Sequence, residues 1–133
     1  LAALRNLEQF YFHDGNPRPR MKITDVSPLS KLSVLCMGDV RNFDFRSLRD
    51  LPGVTALAMK RVPLNFDGRQ LASMTQLKYL ALLDDRGFIG FGDAMLEQLT
   101  NLRSLIMQRA NITEESISKL TLLQQLSFCG YAW

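Results

Sequence analysis

The sequence is poor in the residues that staple, ligate or span. Its two cysteines, Cys36 and Cys129, cannot build a disulfide framework. It has one histidine, His13, whereas a metal centre needs several ligands converging. No run approaches the roughly 18 uninterrupted apolar residues of a membrane span. There is no signal-peptide pattern and no initiator Met, so the chain is read as a segment of a longer protein. Charge of one sign is also scarce. Sixteen basic against thirteen acidic residues leave a net +3, too little for a strong phosphate-binding footprint, and no nucleic-acid partner is expected. The imbalance sits in residues 1–66, with ten Lys/Arg against six acids. It includes Arg18, Arg20 and Lys22, spaced by Pro17 and Pro19 as in a solvated loop.

Leucine is what the chain has in excess: 23 of 133 residues, about 17% where average proteins merely rank Leu among the commonest residues. The leucines fall into a register. Leu1, Leu4, Leu7, Phe10 and Phe12 are spaced three, three, three and two. The spacing recurs at Val26, Leu29, Leu32, Leu35, Met37 and at Leu48, Leu51, Val54, Leu57, Met59. It continues at Leu71, Met74, Leu77, Leu80, Leu82, at Leu96, Leu99, Leu102, Leu105, Met107, and at Ile117, Leu120, Leu123, Leu126, Phe128. All thirty slots are apolar, and the copies start 25, 22, 23, 25 and 21 residues apart. Each copy ends in a period of two, which is a strand signature, after steps that fit a helical turn or two. Helix starts are expected at Asp67 with Gln70, at Asp93, and at Thr113 with Glu114 and Glu115. Pro28 falls early in its turn, where proline is tolerated.

This pattern resembles the leucine-rich-repeat family, with a period of 20–29 residues and an L-x-x-L-x-L core, over the whole chain. ITDVSPLSKLSVLCM (23–37) resembles the short repeats of bacterial internalins and some eukaryotic regulators. LRSLIMQRANITEE (102–115) is similar to F-box repeats, and ISKLTLLQQLSFCG (117–130) to plant immune receptors. The resemblance implies one α/β solenoid domain over residues 1–133, with a curved parallel sheet on the concave side and short helices or turns on the convex side. Six strands about 4.8 Å apart would span roughly 24 Å. The family usually places Asn or Cys three residues after the last strand slot. Here Gly15, Val40, Val62, Asp85, Ala110 and Tyr131 stand there, so the family's side-chain ladder is absent or replaced by water or backbone.

Residues alternating with the strand slots should face the concave side. The rows are Gln9, Val34, Ala56, Tyr79, Ser104, Gln125; then Tyr11, Cys36, Ala58, Ala81, Ile106, Ser127; then His13, Gly38, Lys60, Leu83, Gln108, Cys129. A fourth row, Asp14, Asp39, Arg61, Asp84, Arg109, Gly130, follows the strands. The second row has no charge and a floor of small residues, and the fourth brings charge of both signs. An apolar floor with a charged rim is how a protein-binding patch is built. The expected contacts are Tyr11, His13, Cys36, Lys60, Arg61, Tyr79, Leu83, Asp84, Ile106, Gln108 and Arg109.

Chemistry is not expected. Cys36 and Cys129 fall on strands four steps apart, roughly 19 Å and beyond disulfide reach. That favours a reducing, cytoplasmic setting. His13 and Cys36 fall on adjacent strands but in different rows. The glycines of 84–93 match neither a P-loop nor a dinucleotide fingerprint, and Phe88, Ile89 or Phe91 is expected to tuck under the convex side. No catalytic residue, metal or cofactor is assigned. The expected function is protein recognition within a larger intracellular regulator, a ubiquitin-ligase substrate receptor or an immune sensor. The expected partners are proteins and further repeats or domains of the parent chain. The alternatives are a structural segment of a large assembly and an extracellular receptor or adhesin fragment.

Overall fold

The structure is a computed structural model that describes residues 3–13, 25–39, 43–61, 66–83, 91–109 and 111–128. Six strands form one parallel sheet in chain order: β1 (Gln9–His13), β2 (Val34–Gly38), β3 (Ala56–Lys60), β4 (Tyr79–Leu83), β5 (Ser104–Met107) and β6 (Gln125–Phe128). The register puts like slots side by side. Phe10, Leu35, Leu57, Leu80, Leu105 and Leu126 line up across the sheet, as do Phe12, Met37, Met59, Leu82, Met107 and Phe128.

The three-residue spacing before each strand has a direct cause. The N–H of each slot residue donates to the carbonyl of the slot before it: Leu29 to Val26, Leu32 to Leu29, Leu51 to Leu48, Met74 to Leu71, Leu102 to Leu99. An i to i+3 bond closes a 3₁₀-type turn, in which residues three apart eclipse, so every third side chain enters the core. The backbone then extends, and the interior spacing drops to two. One carbonyl manages each entry into the sheet. Thr55 O accepts from Lys78 N and Tyr79 N, and Lys78 O accepts from Arg103 N and Ser104 N.

The expected helices take two forms. Residues 45–50 (Phe45–Asp50) and 68–71 (Gly68–Leu71) are 3₁₀ helices, whereas α1 (Asp93–Leu96) and α2 (Glu114–Ser118) are single α-turns. Thr113 caps α2 through the Ser116 N–H, and Glu114 and Glu115 occupy its first turn, as expected. Asp67 caps its helix through Arg69 N rather than in a box with Gln70, whose Oε1 is buried with no hydrogen-bond partner among the described residues. Asp93 lies one place inside its helix. Its carboxylate reaches the next repeat, accepting from Thr113 N (2.7 Å) and Thr113 Oγ1 (3.0 Å).

A further buried row lies five residues before the leading slot: Phe43, Phe66 and Phe91 ahead of Leu48, Leu71 and Leu96. Phe45 bridges the first two, with centroids 4.9 Å from Phe43 and 4.7 Å from Phe66, both edge-on. Phe91 packs against Gly68 so closely that a Cβ there would lie 2.6 Å from Phe91 Cβ. Phe88 and Ile89 lie outside the described residues, as do the six positions where the family carries Asn or Cys.

Candidate protein-binding face

The in–out alternation of the strands leaves the other side of the sheet uncovered. In β3 and β4 the slots Leu57, Met59, Leu80 and Leu82 are buried, while Ala56, Ala58, Tyr79 and Ala81 reach the concave surface. Register brings Tyr11, Cys36, Ala58, Ala81, Ile106 and Ser127 into one line. A shallow open depression of about 130 Å³ lies on this line. Cys36, Ala56, Ala58 and Ala81 floor it, and Tyr79 and Ile106 stand around it. Small side chains on three strands leave the space that larger ones enclose.

Tyr11 and Tyr79 are 65% and 51% exposed, large values for rings that cover an apolar sheet. Cys36, Leu83, Ile106 and Gln108 are half-buried, and His13, Lys60, Arg61 and Arg109 are exposed. Asp84 and Cys129 lie outside the described residues. Two row members depart from expectation. Gly38 is buried against the His13 ring. Ser104 is buried, because its hydroxyl donates to Gln125 Oε1 (2.8 Å) and that amide lies over it.

At the strand exits the chain turns sharply. Asp39, Arg61 and Arg109 adopt φ of 56°, 51° and 52°, the left-handed region that costs a non-glycine residue about 1 kcal/mol or more. Hydrogen bonds to the next strand offset this: Asp39 N donates to Lys60 O (3.0 Å) and Arg61 N to Leu83 O (3.1 Å). The turn aims the Asp39 carboxylate between the His13 imidazole and the Arg61 guanidinium. Oδ2 lies 3.2 Å from His13 Nε2, within ion-pair distance of a protonated imidazole but not aligned for a hydrogen bond, and Oδ1 lies 3.6 Å from Arg61 Nη1. The imidazole needs Gly38 beneath it, since a Cβ there would sit 2.6 Å from His13 Cδ2. Sequence reasoning placed His13 in the third row and Asp39 and Arg61 on the rim, but not the left-handed turns that bring the three together.

Burial raises the pKa of the Cys36 thiol, which lowers its thiolate fraction, the opposite of what activates a nucleophile. Among the described residues no three His, Cys, Asp or Glu converge on a metal position, and no helix is long and apolar enough to cross a membrane.

An internalin (inlF) from Listeria monocytogenes superposes on 99% of the chain with a TM-score of 0.65 and 23% identity. The fold is that of the leucine-rich-repeat proteins. The chain spans 37% of that internalin. An internalin C2 (inlC2) from the same organism matches 95% of the chain and 66% of its own length, at 17% identity and a TM-score of 0.49. No family model matches the chain, and no curated protein matches it. Within the leucine-rich-repeat frame, the strand slots build the interior and the residues between them differ from repeat to repeat.

Proposed function

We propose that the chain is a protein-recognition module whose partner lies on the concave face of β3–β5. The observation that carries the reading is the uncharged depression floored by Cys36, Ala56, Ala58 and Ala81, with exposed aromatic and charged groups around it. Apolar centres with polar rims are where interface energy concentrates. Tyr79 and Ile106 are the anchors, with Tyr11 and Leu83 beside them. Lys60, Arg61, Gln108, Arg109, Asp39 and Asp84 set orientation. The module would be the target-choosing segment of a larger regulator. A cytoplasmic setting is proposed on the support of the free Cys36 thiol.

The test is the double variant Tyr79→Ala/Ile106→Ala. It should lose capture of the partner, while its circular dichroism melt stays cooperative and within a few degrees of the parent, because neither side chain is in the buried core. Capture that survives the change removes the concave face from consideration.

A second reading, an interior segment of a large assembly, is favoured by exposed apolar residues in the outer repeats. Leu4, Leu122 and Phe128 are each nearly half exposed. Light scattering separates the two, since a clean monomer at high concentration argues against faces that need covering.

A further inference from the structure

The charges flanking the depression say what kind of segment fits it. Lys78 and Arg103 are the residues immediately before β4 and β5, and Lys60 ends β3. All three are exposed, and none makes an ion pair with a described residue. Arg61 follows Lys60, and the carboxylate near it among the described residues, Asp39, is already shared with His13. Strands β3, β4 and β5 themselves carry no acidic residue, and the described acid that borders them is Asp39, at the exit of β2. The floor between these cations is uncharged. Lys78 and Arg103 are three residues before Ala81 and Ile106, about 10 Å at 3.3 Å per residue, and Lys60 is two residues beyond Ala58, about 7 Å.

We propose that the depression takes a bulky apolar side chain from an extended acidic protein segment, with carboxylates two or three residues to either side of that anchor seated on Lys78, Arg103 and Lys60. This deepens the proposed function and rests on it. Exposed charges of this kind add on-rate and selectivity, while the apolar anchor supplies most of the affinity. A nucleic acid fits less well. A single strand needs a cationic groove that tracks its backbone continuously, and here an uncharged floor separates the cations.

The test uses a random peptide library panned on the whole chain, with counter-selection on Tyr79→Ala/Ile106→Ala. Recovered sequences should carry a large apolar residue flanked by Asp or Glu at two or three positions. The best of them, made with a fluorescent label, should bind Lys78→Glu/Arg103→Glu about tenfold more weakly, and should weaken as salt rises to about 0.3 M. Recovery of neutral or basic peptides overturns the proposal, as does charge reversal that changes affinity less than about twofold. So does a labelled single-stranded oligonucleotide that binds more tightly than the acidic peptide. If no peptide distinguishes the parent from the counter-selected variant, the docking face itself fails, which separates that outcome from a wrong partner chemistry.

Discussion

Two glycines show how one substitution can mean opposite things in one fold. At Gly68 an added Cβ meets Phe91 Cβ at 2.6 Å and Phe91 N at 2.7 Å, so backbone of the next repeat would have to move. At Gly38 the 2.6 Å neighbour is the His13 ring, and that side chain is 57% exposed and free to swing away. Gly68→Ala should therefore cost about 1–3 kcal/mol through overpacking, more than the fraction of a kcal/mol that alanine's helix preference returns in so short a helix. Gly38→Ala should cost less than about 1 kcal/mol. Its signature should be local: loss of the His13–Asp39 approach, read as a shift of the His13 ring resonances. Denaturant melts of the two variants decide it, and equal losses would mean that the Phe91 backbone gives way as readily as an exposed ring.

At the scale of the element, each turn is tied by one carboxylate or hydroxyl. Asp44 caps its 3₁₀ helix and pairs with Arg46; Asp67 does the same with Arg69. The Arg46 side chain, then its N–H, holds Asp44 below the usual carboxylate range, and Arg69 does so for Asp67. Asp93 is held low chiefly by the Thr113 backbone N–H, then by hydroxyls. A carboxylate depressed by folding favours the fold while ionised. That contribution is complete above the unfolded value near ~3.9 and is lost as pH falls through the folded values. The melting temperature should hold from neutral pH to about 5 and fall below about 4. Asp93→Asn should flatten that acid limb and release β6 first, because Asp93 joins the last two repeats. A melt unchanged down to about pH 3 would show that these exposed caps contribute nothing. The thirty slots were legible because slot spacing is turn geometry: three where 3₁₀ bonds close, two where the chain extends. The Phe43, Phe66, Phe91 row was written in the sequence too, as Phe-Asp-x-Arg at 43–46 and 66–69, but it lies outside a register that begins at the leading leucine. The Asp39 junction was not legible, since nothing in an Asp or Arg announces a left-handed backbone. Likewise the burial of Ser104 depends on the length of Gln125 in the neighbouring strand, which alternation ignores.

Across the whole molecule, identical slots have unequal worth, because a solenoid repeat is buried by its neighbours. Leu80 and Leu126 occupy the same slot, yet Leu80 is 1% exposed between β3 and β5 and Leu126 is 42% exposed on the outermost strand. Leu80→Ala should cost about 2–5 kcal/mol, as expected of a core truncation, and Leu126→Ala under about 1.5 kcal/mol. Hydrogen exchange should follow the same gradient, slowest in β3 and β4 and fastest in β1 and β6. Protection of β6 equal to that of β4 would mean that the six repeats open as one unit. The gradient bears on binding because the depression lies on β3–β5, where repeats support one another from both sides. Its floor should stay ordered while the outer strands fray, so a partner meets a preorganised surface. Leu126→Ala should then leave affinity within about twofold of the parent, whereas Leu80→Ala should lower stability and affinity together. If Leu126→Ala weakens binding as much as Leu80→Ala does, the interface extends to the outer repeat and the depression is only part of it.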